Sequence, residues 1–235
     1  MRRFIGGMLL AGLLVPLIGS GQEAGFSSGP QPAPKGKPPT KMAHSFEAHV
    51  FNGKFANRFH CLVTENDTYP TVFMFIKDPG DGKDAAIKSL MTKLEEAVPK
   101  YQAMEKYPEV TGFSVCAVFL DDRAQTSLVK PNETDPAALV KEATERRTLY
   151  ARMNEWAKDR KNLSIACATV EGAKAYAINP AAELTVIYFE SFNVLENFAY
   201  EGGGFTEEKA AAVVEKVEGR LQAMIASLEA KNKRQ

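Results

Sequence analysis

Cysteine, histidine and net charge are all scarce in this chain: 235 residues hold three cysteines, three histidines, and 29 basic side chains against 29 acidic ones. Three cysteines exclude a small disulfide scaffold, since a chain of this length can bury a core large enough to fold without bridges. Cys61, Cys116 and Cys167 each sit in an apolar, strand-like run, FHCLV, FSVCAVF and LSIACA, and read as small buried side chains. One bridge among them would leave a third thiol over, and spacing does not choose the pair. His44, His49 and His60 match neither a two-histidine helical metal motif nor a Cys-x-x-Cys partner, so no metal is expected. A balanced charge offers no basic field for phosphate backbones, which argues against a nucleic-acid partner. There is no Gly-x-Ser-x-Gly elbow and no phosphate-cradling glycine loop, and Gly202-Gly203-Gly204 reads as a turn. No cofactor is implied.

What is present begins with a leader. Arg2 and Arg3 precede an apolar stretch from Phe4 to Ile18, followed by Gly19, Ser20 and Gly21. This is the charged, hydrophobic and small-residue order of a secretion signal over residues 1–21. The stretch falls short of the ~20 residues that cross a bilayer as a helix and contains Pro16, so cleavage is expected and no stable membrane anchor remains. A secreted or periplasmic protein follows. Cleavage removes two arginines and no acid, moving the formal charge from zero to minus two.

Residues 22–43 carry prolines 30, 32, 34, 38 and 39 among Gly, Ser and Lys, with almost nothing apolar. That composition predicts a disordered, mobile linker which protease trims to a resistant core starting near His44. The rest, 44–235, suits a single domain.

Periodicity outlines its elements. Phe59–Val63 and Thr71–Ile76 are short β-branched and aromatic runs and predict strands. Ile87, Leu90, Met91, Leu94 and Val98 recur at helical spacing until Pro99, which should close the helix. Phe113–Leu120 is apolar on both alternating faces, the pattern of a buried parallel strand. Thr134 or Asp135 with Pro136 opens a helix with Leu139, Ala143, Tyr150, Met153 and Ala157 on one stripe, ending near Asp159. Leu163–Thr169 predicts a strand and Glu171–Ile178 one or two helical turns. Thr185–Glu190 and Val194–Tyr200, joined by Ser191-Phe192-Asn193, predict an antiparallel hairpin. Thr206 then caps a long helix with Glu207 and Glu208 in its first turn.

Strand, helix, strand, helix, hairpin, helix has few solutions under right-handed crossovers. With VFMFIKD and the closing stretch YAINPAAELTVIYFESFNVLENFAYEGGGFTEEKAAAVVEKV, this order resembles the thioredoxin fold, particularly its larger thioredoxin-like and peroxiredoxin-like members, over residues 46–229. The resemblance implies an α/β domain with a central mixed sheet and helices on both faces. It also implies thiol chemistry, from which the sequence departs. Where the family carries Cys-x-x-Cys, this chain has Asp78-Pro79-Gly80-Asp81-Gly82-Lys83, and Leu184 stands where the family has a cis-proline before its Thr-led strand, here opened by Thr185. A peroxidatic cysteine is missing from the same loop.

Candidate binding residues are therefore Asp78, Asp81, Asp121 and Asp122, at the carboxyl ends of adjacent parallel strands where open α/β sheets bind ligands, with Leu184 and Thr185. The bland alternative for the acids is strand-end and turn carboxylates facing water. Two functions are consistent with this. One is a redox-inactive domain that binds a protein or peptide in the cell envelope. The other is an atypical thiol oxidoreductase or peroxidase using Cys61, Cys116 or Cys167.

Overall fold

The computed structural model describes residues 26–42, 46–66, 68–77, 85–124 and 135–233. The expected signal over residues 1–21, His44 and the whole Asp78–Lys83 loop, with Asp78 and Asp81, lie outside them.

Seven strands form one sheet in the order β2-β1-β5-β4-β3-β6-β7. They are β1 (Ala48–Val50), β2 (Arg58–His60), β3 (Thr71–Lys77), β4 (Ser114–Leu120), β5 (Ser164–Ala168), β6 (Ala182–Glu190) and β7 (Asn193–Glu201). β3, β4 and β5 are parallel, and the remaining pairs are antiparallel. The helices are α1 (Leu62–Glu65), α2 (Ala85–Gln102), α3 (Pro108–Thr111), α4 (Pro136–Ala157) and α5 (Glu207–Asn232). This is the expected thioredoxin-like α/β fold, with a mixed central sheet and helices on both faces.

The layering follows from the crossovers. β3 to β4 and β4 to β5 step the same way across the sheet, so right-handed connections put α2 and α4 on one face. α5 joins them there, and the three long helices share a core with Val72, Met74 and Ile76 of β3. The opposite face carries Phe73 and Phe75 of the same strand, covered by Leu62 and Val63 of α1, Tyr176 of a three-ten turn (Lys174–Tyr176), and Met42 and Phe46. Each fully buried Phe or Leu contributes about 2 kcal/mol by leaving water. That burial on both sides is why β3 and β4 read as unbroken apolar runs.

Several expectations need correction. Phe59–Val63 is not one strand: β2 ends at His60, and Cys61 is the N-cap of α1, its sulfur accepting from the Thr64 amide. Pro99 does not close α2, which runs on to Gln102 because Tyr101 is fully buried in the helix-side core. On α4 the predicted stripe holds only in its second half. Leu149, Met153, Trp156 and Ala157 are buried, while Leu139 is 47% exposed and Ala143 is also exposed. β6 and β7 meet at Ser191-Phe192, whose φ values of 47° and 61° give the primed-type turn of a two-residue hairpin.

The largest departure concerns the linker. Residues 26–42 are not a loose tether but a strap across the face opposite the long helices. Its end pairs with the hairpin: Val194 N donates to Thr40 O (2.9 Å), Met42 N donates to Phe192 O (2.7 Å), and Lys41 bridges Asn193. Its start is buried over β6 and β7, where Ser28 is 2% exposed. The reason lies in the sheet. Thr185 and Asn197 place polar side chains on this face, and the strap supplies partners to the Thr185 hydroxyl and to Asn197 Nδ2.

Candidate functional site

At the carboxyl ends of β3, β4 and β5 the chain leaves the sheet three times, and the space between these exits is a cleft of about 650 Å³. Phe75, Leu120, Ala173, Ile178 and Ala182 give it an apolar floor, and Lys77, Asp121, Asp122, Arg123, Glu171 and Lys174 ring it with charge. The far wall is the segment from Ala177 to Pro180. Ala177 adopts a left-handed φ of 50°, and Asn179 Oδ1 accepts from the Ala181 amide (2.9 Å) in the turn that starts β6.

Four of these charges form two ion pairs, and Lys77 and Asp122 bond to backbone groups. Arg123 Nε donates to Asp121 Oδ1 (2.9 Å), its terminal nitrogen lies 2.5 Å from Oδ2, and its amide adds a bond to Oδ1 (2.8 Å). Asp122 Oδ1 accepts from the Val170 amide (3.4 Å), Lys77 Nζ donates to Pro180 O (2.9 Å), and Lys174 pairs with Glu171. Among the described lining residues, three cations against three carboxylates favour an amphipathic ligand over a strongly charged one.

Asp121 and Asp122 line this cleft as rim groups with partners. Asp78 and Asp81 lie outside the described residues, just beyond Lys77 in sequence. Leu184 and Thr185 do not line the cleft. Leu184 is fully buried in the helix-side core, and Thr185, equally buried on the other face, shares a 2.6 Å hydrogen bond with Ser28. Among the described residues no group of three or more His, Cys, Asp or Glu side chains is placed to hold a metal ion. Sequence reasoning missed Arg123, Val170, Lys174 and Ile178. Only Asn179-Pro180, a turn signal before a strand, was readable.

No cysteine is among the cleft-lining residues. All three are unpaired thiols. Cys116 and Cys167 are 1% and 0% exposed, and burial pushes each thiol up to about 12. Cys61 differs: half-buried, its sulfur accepts from the amides of Phe46 (3.3 Å) and Thr64 (3.5 Å) and lies 3.1 Å from the Thr64 hydroxyl. Burial opposes its ionisation, but these hydrogen bonds together hold the thiol below its ordinary value. His49 stacks on Tyr150 (4.6 Å) with its basicity lowered by burial, and His60 lies 3.3 Å from Glu65.

No protein-family model matches the chain, and no curated protein matches it. Among solved structures, an uncharacterized conserved protein from Geobacillus kaustophilus is 17% identical, with 83% of this chain and 84% of that one covered and a TM-score of 0.43. A putative thiol:disulfide interchange protein DsbE from Chlorobium tepidum is 14% identical over 83% of this chain and 99% of its own, at a TM-score of 0.40. Peroxiredoxin Q of Xanthomonas campestris is 10% identical over 74% and 91%, at 0.39. Likenesses this loose carry no activity over to this chain.

Proposed function

We propose that this chain is an exported, redox-inactive thioredoxin-like domain that binds a protein or peptide of the cell envelope in the cleft beyond β3, β4 and β5. The observation that carries this reading is the cleft itself. It occupies the ligand position of an open α/β sheet, has an apolar floor within a ring of charges of both signs, and is lined by no thiol. Such a surface suits a peptide segment with apolar side chains flanked by charges of both signs. Export rests on the leader over residues 1–21. The test is a photo-crosslinking amino acid in place of Val170 on the cleft rim, in the native envelope. A discrete adduct is expected that disappears when Ile178→Glu puts a charge on the floor and persists with Val140→Glu, which alters a side chain 67% exposed on α4. An adduct indifferent to Ile178→Glu would refute the cleft as the binding site.

A second reading, an atypical thiol oxidoreductase or peroxidase, is favoured by the depressed Cys61 thiol. Against it, Cys116 and Cys167 are both buried, which leaves Cys61 without an accessible resolving thiol. Maleimide labelling of the native protein separates the two: the second reading requires Cys61 to react much faster than a free thiol at neutral pH.

A further inference from the structure

The strap reaches the cleft. Gly29 N donates to Ala177 O (3.1 Å), Ser28 Oγ accepts from Asn179 N (2.9 Å), and Ser27 O accepts from Asn179 Nδ2 (3.1 Å). Three hydrogen bonds thus tie the strap to the segment that forms the far wall, where Ala177 holds a left-handed conformation unfavourable for alanine.

The seat on the other side is equally specific. Asn197 Nδ2 donates to both Ser28 O and Pro30 O (2.9 Å each), and Ser28 Oγ meets the Thr185 hydroxyl. Gly29 has φ +75°, and a Cβ there would stand 3.2–3.4 Å from Thr185, Asn197 and Ile178, so glycine alone fits without strain. Ile178 is both part of that slot and part of the cleft floor.

We infer that the strap is a latch for the cleft: seated in the β6–β7 slot, residues 27–29 hold the Ala177–Asn179 wall in its ligand-accepting shape, and unseating them loosens that wall. The latch rests on the cleft being the binding site. It gives the segment that follows the signal a direct mechanical connection to the site.

Hydrogen exchange read by mass spectrometry on the mature chain tests this. Gly29→Val should unseat the strap, speeding exchange in residues 26–31 and, by about tenfold, in residues 177–182, with β3 and β4 unchanged. Lys37→Ala, on the exposed part of the strap, should leave all rates as they were. If residues 26–31 become exposed while 177–182 keep their wild-type rates, the latch is refuted. Should Gly29→Val fail to fold, Thr185→Val removes one partner of Ser28 and should speed wall exchange to a smaller degree. No change there refutes the latch equally. Exchange is read without a ligand, so its failure leaves the binding reading intact. A failed Val170 crosslink beside the expected exchange removes the binding reading and leaves the mechanical coupling.

Discussion

The helix-covered face of the sheet is closed by apolar side chains of α2, α4 and α5, whereas over β6 and β7 the opposite face is crossed by a strap seated by hydrogen bonds at Ser28 and Pro30, with Met42 packed into the apolar layer at its far end. The first kind of closure is non-directional and leaves a periodic trace in sequence. The second depends on a few polar groups far apart in the chain: Ser28 and Thr185 are 157 residues apart, and Ser28 and Asn197 are 169 apart. The two should also respond differently to mutation. Loss of packing scales with the volume removed, while loss of a buried donor strands its acceptors.

The largest effect should come from the helix side. Leu221→Ala, at a fully buried position of α5, is expected to cost about 2–5 kcal/mol in denaturant unfolding. A smaller cost, about 1–3 kcal/mol, should follow Asn197→Ala, which takes the Asn197 donor from Pro30 O and leaves Ser28 O with its longer bond from Gln31 Nε2 (3.2 Å). Asn197→Ala should in addition expose the strap to protease. The wild-type resistant core should keep the strap, and that of Asn197→Ala should lose residues 26–42, as N-terminal sequencing would show. Equal fragments from both proteins would mean that Asn197 does not hold the strap.

Much of the fold was legible because burial on both faces produces unmistakable runs. Thr71–Ile76 and Phe113–Leu120 are strands within a residue of their expected limits, and Thr206 caps α5 by accepting from Lys209 N as its residue type implies. The strap was not legible, because its proline-rich composition has no apolar pattern and its affinity for the sheet lies in its partners. One trace existed, a lone asparagine in the apolar strand that became β7, where a buried amide demands a partner. The cleft was half legible. Strand-end acids point to the end of the sheet where the cleft lies, but Arg123 and Lys174 acquire meaning only once three loops meet there.

Cys116→Ala sharpens the same comparison from within the sheet. Its thiol is buried, with Asn66 Nδ2 3.9 Å from the sulfur, so the cost should be about 1 kcal/mol for a small cavity, with no change in ligand crosslinking. A smaller effect is set by pH. Burial lowers the His49 pKa below its ordinary 6.5, so the unfolded chain takes up the proton first. The contribution is full above 6.5 and falls away as pH drops through that value toward the folded pKa. His49→Phe should flatten this part of the stability profile, and an unchanged slope would show that His49 protonates as readily in the folded state.

Insulin-disulfide reduction in the presence of dithiothreitol bears most directly on the claim that this thioredoxin-like domain does no thiol chemistry. The mature chain should give the rate of dithiothreitol alone, identical to that of Cys61→Ser. Turnover near that of an ordinary thioredoxin, abolished by Cys61→Ser, would contradict it.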